Sequence, residues 1–213
     1  MTSELLKRIS TAYELVPVDA GDMAKMKVSG MSFDIKAYTA KGLGHVSVMR
    51  AKGFFGLMKM DTLIINPTEK DLPLYSYDRI FAMGNDTLIV ELYDTNCEKL
   101  VESGLEAAKS AYASLPERDP GEHWYDSIKL GSSISKKGKK KQSAELDRLT
   151  LEHFEAYMNA PVSDSPDVEI KQTKAAYYVN GLLEKGGPST DVFKKGIGED
   201  ATAELFKKVL FGI

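Results

Sequence analysis

The stretch Leu88-Ile89-Val90-Glu91-Leu92 restricts the fold more than any other short feature of this chain, because it is apolar on both alternating faces. Successive residues of a β-strand point to opposite sides, so such a strand belongs in a sheet that is covered on both faces. It also reads as the second arm of a hairpin. Arg79-Ile80-Phe81-Ala82-Met83 runs in, Gly84-Asn85-Asp86 turns, and Thr87 to Tyr93 runs out; Gly, Asn and Asp tolerate the positive φ that tight turns require.

Further strands are expected upstream. Lys25 to Val28, Phe33 to Tyr38 and His45 to Arg50 are short segments separated by Gly30 and by Gly42-Leu43-Gly44, the spacing of antiparallel neighbours. Phe54 to Ile65 reads as a fourth strand ended by Asn66-Pro67, followed by a loop containing Pro67 and Pro73. The covers come from helical patterns: one capped by Thr2 or Ser3, carrying Leu5, Leu6, Ile9 and Tyr13 and closed by Pro17, and others at Glu98 to Leu115, Ser143 to Met158, Glu169 to Glu184, Thr190 to Lys195 and Asp200 to Phe211. Ser127 to Ile134 adds one late strand. The expected architecture is an α/β/α sandwich, a central and mainly antiparallel sheet with helices on both faces. No repeat and no linker divides the 213 residues, so residues 1–213 are read as one domain.

The formal charge of −3 supplies no global field for a nucleic-acid backbone. Cys97 is the single cysteine, which excludes an intrachain disulfide and a cysteine-built zinc or iron–sulfur site. The N-terminus lacks the layout of a signal peptide, and no apolar run approaches the roughly 20 residues that span a bilayer, so the expected address is cytoplasmic, without a membrane partner.

Common nucleotide, hydrolase and zinc-protease motifs are absent, and His45, His123 and His153 have no i, i+4 spacing that would suggest metal ligands. Ser135-Lys136-Lys137-Gly138-Lys139-Lys140-Lys141 reads as a solvated loop, with a docking patch for an acidic protein or for a ligand's carboxylates as the alternative. Asp61 follows an apolar-rich run and Asp78 follows Pro73-Leu74-Tyr75-Ser76-Tyr77, both at expected strand edges. An aspartate in an apolar pocket holds its proton toward neutral pH and can donate it. The plainer alternative pairs Asp61 with Lys59 or Arg79 and leaves Asp78 accepting backbone amides at a turn.

Met49-Arg50-Ala51-Lys52-Gly53-Phe54-Phe55-Gly56-Leu57-Met58-Lys59-Met60-Asp61, continuing through Pro73 to Asp78, resembles the ferredoxin-dependent bilin reductases, nearest their phycocyanobilin-forming branch. A second similar block runs from Asp191-Val192-Phe193 to Gly198-Glu199 and on to Leu205 through Phe211, where the family ends in a helix and a Leu-Phe tail. Trp124 to Lys136 resembles the strand after which the family places an arginine facing the bilin propionates, and Lys136 holds that place. The resemblance implies a linear tetrapyrrole of the biliverdin kind bound between sheet and C-terminal helices. It implies electrons from ferredoxin or flavodoxin, no tightly bound cofactor, and no metal.

By resemblance Asp78 falls on the family's catalytic aspartate. Asp61 stands where members carry histidine or asparagine, and two facing aspartates would share one proton. Met49 replaces a glutamate that serves vinyl reduction, and a thioether moves no proton. Asp78 and Asp61 are therefore the expected catalytic pair, with Lys136 and Met49 binding substrate. The competing readings are a non-catalytic carrier or sensor of bilin or haem, and a soluble domain of unrelated function.

Overall fold

The structure, a computed structural model, describes residues 1–164, 166–187 and 189–213. Eight strands form one antiparallel sheet: β1 Leu15–Val18, β2 Lys25–Val28, β3 Met31–Ala40, β4 Gly44–Gly53, β5 Met58–Asn66, β6 Leu74–Ala82, β7 Asn85–Tyr93 and β8 Ile134–Lys139. Their order is β1-β3-β4-β5-β6-β7-β8, with β2 also paired to β3, which places β5 and β6 near the centre. The helices are α1 Thr2–Ala12, α2 Ser103–Ser110, α3 Ser143–Met158, α4 Val168–Lys185, α5 Thr190–Ile197 and α6 Glu199–Glu204, the last continued by a π-helix Leu205–Phe211.

The two-sided apolar run of β7 separates two cores. Leu88, Val90 and Leu92 join Leu63, Ile65, Tyr75 and Tyr77 against Leu5 and Ile9 of α1 and Leu146, Leu149 and Phe154 of α3. On the other face Phe33, Ile35, Met49 and Ile64 pack against Tyr178 and Leu182 of α4, Phe193 of α5 and the π-helix. This is the α/β/α sandwich expected from the sequence.

Polar side chains of the sheet hold the C-terminal wall in place. Ser47 Oγ donates to Leu210 O at 2.7 Å, Asn66 Nδ2 donates to Phe211 O at 2.8 Å, and His45 Nε2 lies 2.8 Å from Val209 O. Carbonyls left free at a helix end thereby gain buried donors. With a carbonyl as its partner, His45 carries its proton on Nε2, and burial lowers its pKa. Asp167 caps α4, its carboxylate accepting from Glu169 N at 3.0 Å and Ile170 N at 3.1 Å.

Several boundaries differ from the sequence reading. The late strand is Ile134–Lys139, not Ser127 to Ile134, so the lysine-rich run lies largely in β8 rather than in a loop. Its Ile134, Lys136 and Gly138 alternate inward as the edge strand pairs with β7, and backbone pairing outweighs the charge of the side chains. Phe54 to Ile65 is not one strand: Phe54 and Phe55 take positive φ ahead of Gly56 and make the turn between β4 and β5. Only Ser103–Ser110 of the expected Glu98 to Leu115 helix is α-helical. Pro17 sits in β1, at the sheet edge where a missing N–H costs no ladder bond. Asp61 and Asp78 lie inside β5 and β6, not at strand edges.

Candidate functional site

The pairing register determines which side chains meet. One cross-strand row runs Ile35, Met49, Thr62, Asp78, Ile89, Ser135, and its members from Ile35 to Ile89 face the C-terminal helices. The neighbouring row, Arg50, Asp61, Arg79, Leu88, Lys136, faces α1 and α3. One residue along a strand reverses the face, so the four site residues expected from sequence divide into two pairs.

Met49 and Asp78 stay together. They line a cavity of about 180 Å³ between the sheet and the C-terminal helices, with Thr62, Glu91, Arg118 and His123 also on its wall. The opposite side of the cavity is formed by Tyr178 and Leu182 of α4, Thr190 of α5, and Phe206 and Leu210 of the π-helix.

Asp61 and Lys136 are displaced from that site. Asp61 lies on the far face, 3.9 Å from Arg50 Nε and 4.0 Å from the N-terminal amine, so it does not share a proton with Asp78. Of the plainer pairings, Arg79 is taken by buried Asp86, with Nη2 at 2.8 Å from Oδ2, and the ion pairs that Asp61 makes are with Arg50 and the N-terminal amine, not with Lys59. Lys136 is buried, its Nζ donating to Leu115 O at 3.1 Å and to Glu117. No propionate contact is available to it from there.

The cation on the pocket side is Arg118. Its backbone N–H donates to Ser135 O at 3.0 Å, and Ser135 Oγ donates to Arg118 O at 3.0 Å, so the loop before β8 is stitched to the row that contains Asp78. Lys136, one residue on, necessarily points away.

Asp78 has the environment of a proton donor. Burial pushes its carboxyl up from 3.8 to about 6; the Thr62 hydroxyl, which donates to Oδ1, opposes that rise, and the charge of Glu91 adds to it. Glu91 accepts from Tyr93 Oη at 2.6 Å and lies 3.9 Å from Lys129 Nζ.

One end of the cavity is aromatic. Tyr93 and Tyr178 stack with centroids 3.9 Å apart, Tyr125 stands edge-on to Tyr178 at 5.9 Å, and His123 stacks on Tyr125 at 4.8 Å. His123 Nδ1 is buried without a hydrogen-bond partner among the described residues and lies 4.0 Å from Asp126 Oδ1. Planar conjugated ligands suit such walls. Among the described residues no group of three or more His, Cys, Asp or Glu side chains is arranged to hold a metal ion.

Sequence reasoning missed Thr62, Glu91, Arg118 and His123. Strand alternation carried the signal for the first two: Thr62 pairs directly with Asp78, and Glu91 shares the face of Ile89. Arg118 and His123 lie in loop sequence, where no period reveals facing.

No family model and no curated protein matches the chain. Among solved structures it is similar to the crystal structure of phytochromobilin synthase from tomato in complex with biliverdin, with a TM-score of 0.74, 14% sequence identity, and coverage of 99% of this chain and 81% of that one.

Proposed function

From a fold that is that of the ferredoxin-dependent bilin reductases, we propose that this chain binds a linear tetrapyrrole of the biliverdin class in the cavity beside Asp78 and reduces it with electrons from ferredoxin or flavodoxin. The observation that carries the reading is Asp78 itself: a carboxyl at the sheet centre, facing the cavity, with burial pushing it up to about 6. A proton donor works best when its pKa is near the operating pH.

Reduction of one double bond takes two electrons and two protons. Two reduced one-electron donors each give up one electron, Asp78 gives one proton and recovers it from solvent, and the second proton comes from water. Thr62 orients the Asp78 carboxyl through its hydrogen bond. Arg118, on the cavity wall, is the cation for a propionate, and a guanidinium pairs with a carboxylate bidentately.

At about 180 Å³ the cavity is smaller than the roughly 300–1,000 Å³ of typical ligand sites, so bilin entry displaces the helical wall. Gly186 and Gly198, both at positive φ, bracket α5 and are the pivots for that displacement.

A carrier without chemistry is the second reading, and Met49 favours it: buried in the Asp78 row beside Thr62, it offers no proton where an acid would serve. Biliverdin added to the protein is expected to shift and sharpen its absorption bands; an unchanged spectrum at micromolar bilin refutes both readings. Anaerobic addition of reduced ferredoxin then separates them. New product bands that vanish in Asp78→Asn support reduction, and an unaltered bound bilin supports the carrier.

A further inference from the structure

Three hairpin turns and the end of β8 meet at one end of the sheet, remote in register from the Asp78 row. Ser32↔Lys52 and Met58↔Ala82 set the turns at Ser29–Gly30, Phe54–Leu57 and Met83–Gly84 side by side, and Asn85↔Lys139 brings β8 to the same end. This end is unusually apolar at its tips. Phe55 is fully exposed, Met83 is 91% exposed, and Phe54 and Leu57 are exposed beside them. Phe54, Phe55 and Met83 hold positive φ of 50°, 55° and 52°. Non-glycine residues adopt that conformation at a cost, and here it turns large apolar side chains outward.

Cations surround the tips. Segments 27–32, 52–59, 81–85 and 139–141 contain Lys27, Lys52, Lys59 and Lys139 through Lys141, and no Asp or Glu. Lys52 and Lys59 are direct cross-strand partners, an arrangement in which like charges repel. Among the described residues no carboxylate pairs with Lys27, Lys52 or Lys59; Asp61 is taken by Arg50 and Met1 and Asp86 by Arg79, and the one further nearby acid, Asp34, lies opposite Lys25 and Arg50 in the ladder. An open groove beside Phe55 is lined by Lys27 and Lys52 and by no carboxylate.

We propose that this end of the sheet docks onto anionic phospholipid bilayers, with the Phe54–Leu57 turn and Met83 entering the boundary between headgroups and acyl chains and the lysines meeting lipid phosphates. Interfacial binding combines buried apolar area with attraction of basic residues to anionic lipid. The local positive charge serves despite the total of −3. Charge complementarity selects this occupant over a second copy of the chain, whose lysine rows would face these. Lysine is depleted at protein interfaces, and it is the cation that surrounds these tips. No helix of the described chain is long and apolar enough to cross a membrane, so the contact is peripheral.

Co-flotation of the full chain with vesicles tests this. Binding is expected to vesicles of phosphatidylcholine with phosphatidylglycerol, to weaken with salt, and to be absent on phosphatidylcholine alone. Phe55→Ser with Leu57→Ser is expected to weaken it more than about tenfold, and Lys52→Gln and Lys59→Gln about fivefold each. These side chains are exposed, so circular dichroism of the variants should match the parent. Val101→Ser, at an exposed apolar residue elsewhere, is expected to leave binding unchanged. Four outcomes overturn the proposal: no vesicle binding, equal binding to neutral vesicles, retention on polyglutamate without vesicle binding, or self-association lost in Phe55→Ser without vesicle binding.

Discussion

Asp78→Asn is expected to stabilise the folded protein at neutral and higher pH, and the magnitude follows from the site. Burial raises the Asp78 carboxyl from 3.8 to about 6, and each pH unit corresponds to about 1.36 kcal/mol. Below the lower value both folded and unfolded chains hold the proton. Between about 4 and about 6 the unfolded chain releases it and the folded chain keeps it, so the folded state loses about 3 kcal/mol as pH rises through that window. Asparagine keeps the shape and still accepts from Thr62, but carries no charge to bury. Urea unfolding at about pH 8 should then show a midpoint higher by up to about 1.5 M, at a slope of about 2 kcal/mol/M.

His153 works in the opposite sense. Burial lowers it to about 4, so the stability it contributes is lost as pH falls from its unfolded value toward 4. The difference between parent and variant, rather than either curve alone, therefore isolates Asp78. A variant no more stable than the parent at about pH 8, or a difference that stays flat between about pH 4 and 6, refutes the claim of a desolvated carboxyl.

Thr62→Val removes the donor that holds the Asp78 carboxylate; a hydrogen bond to a charged group is worth about 1.5–3 kcal/mol, so an infrared titration of the carboxyl should place its midpoint about one to two pH units higher. Arg118→Gln is expected to weaken biliverdin binding about tenfold in an absorbance titration, whereas Lys136→Gln, remote from the cavity, should lower thermal stability and leave bilin affinity unchanged. Ser47→Ala leaves Leu210 O without its 2.7 Å donor; a loss of about 1–3 kcal/mol in urea unfolding and faster amide exchange over residues 205–213 are the expected readouts.

The sheet was legible in the sequence because strand alternation and turn residues are local. Leu88 to Leu92 required covers on both faces, and both are there. The lysine-rich run misled because charge says little about an edge strand, whose backbone pairs whatever its side chains carry. The site was half legible. Asp78 and Met49 share a face through pairing of distant strands, while Asp61 and Lys136, each one residue off that row, fall on the opposite face. A family pattern aligned along the chain places positions but not their parity, and one step of register separates a pocket residue from one beneath the other helices. Arg118 reaches the cavity through a loop bond to Ser135 that no local pattern encodes.

The most direct test of a bilin held against Asp78 is the visible spectrum of the biliverdin complex followed across pH in the parent, Asp78→Asn and Asp61→Asn. A bound bilin whose bands titrate in the parent and in Asp61→Asn, but not in Asp78→Asn, is the expected result. Absence of binding, or a titration that survives Asp78→Asn and vanishes in Asp61→Asn, contradicts it.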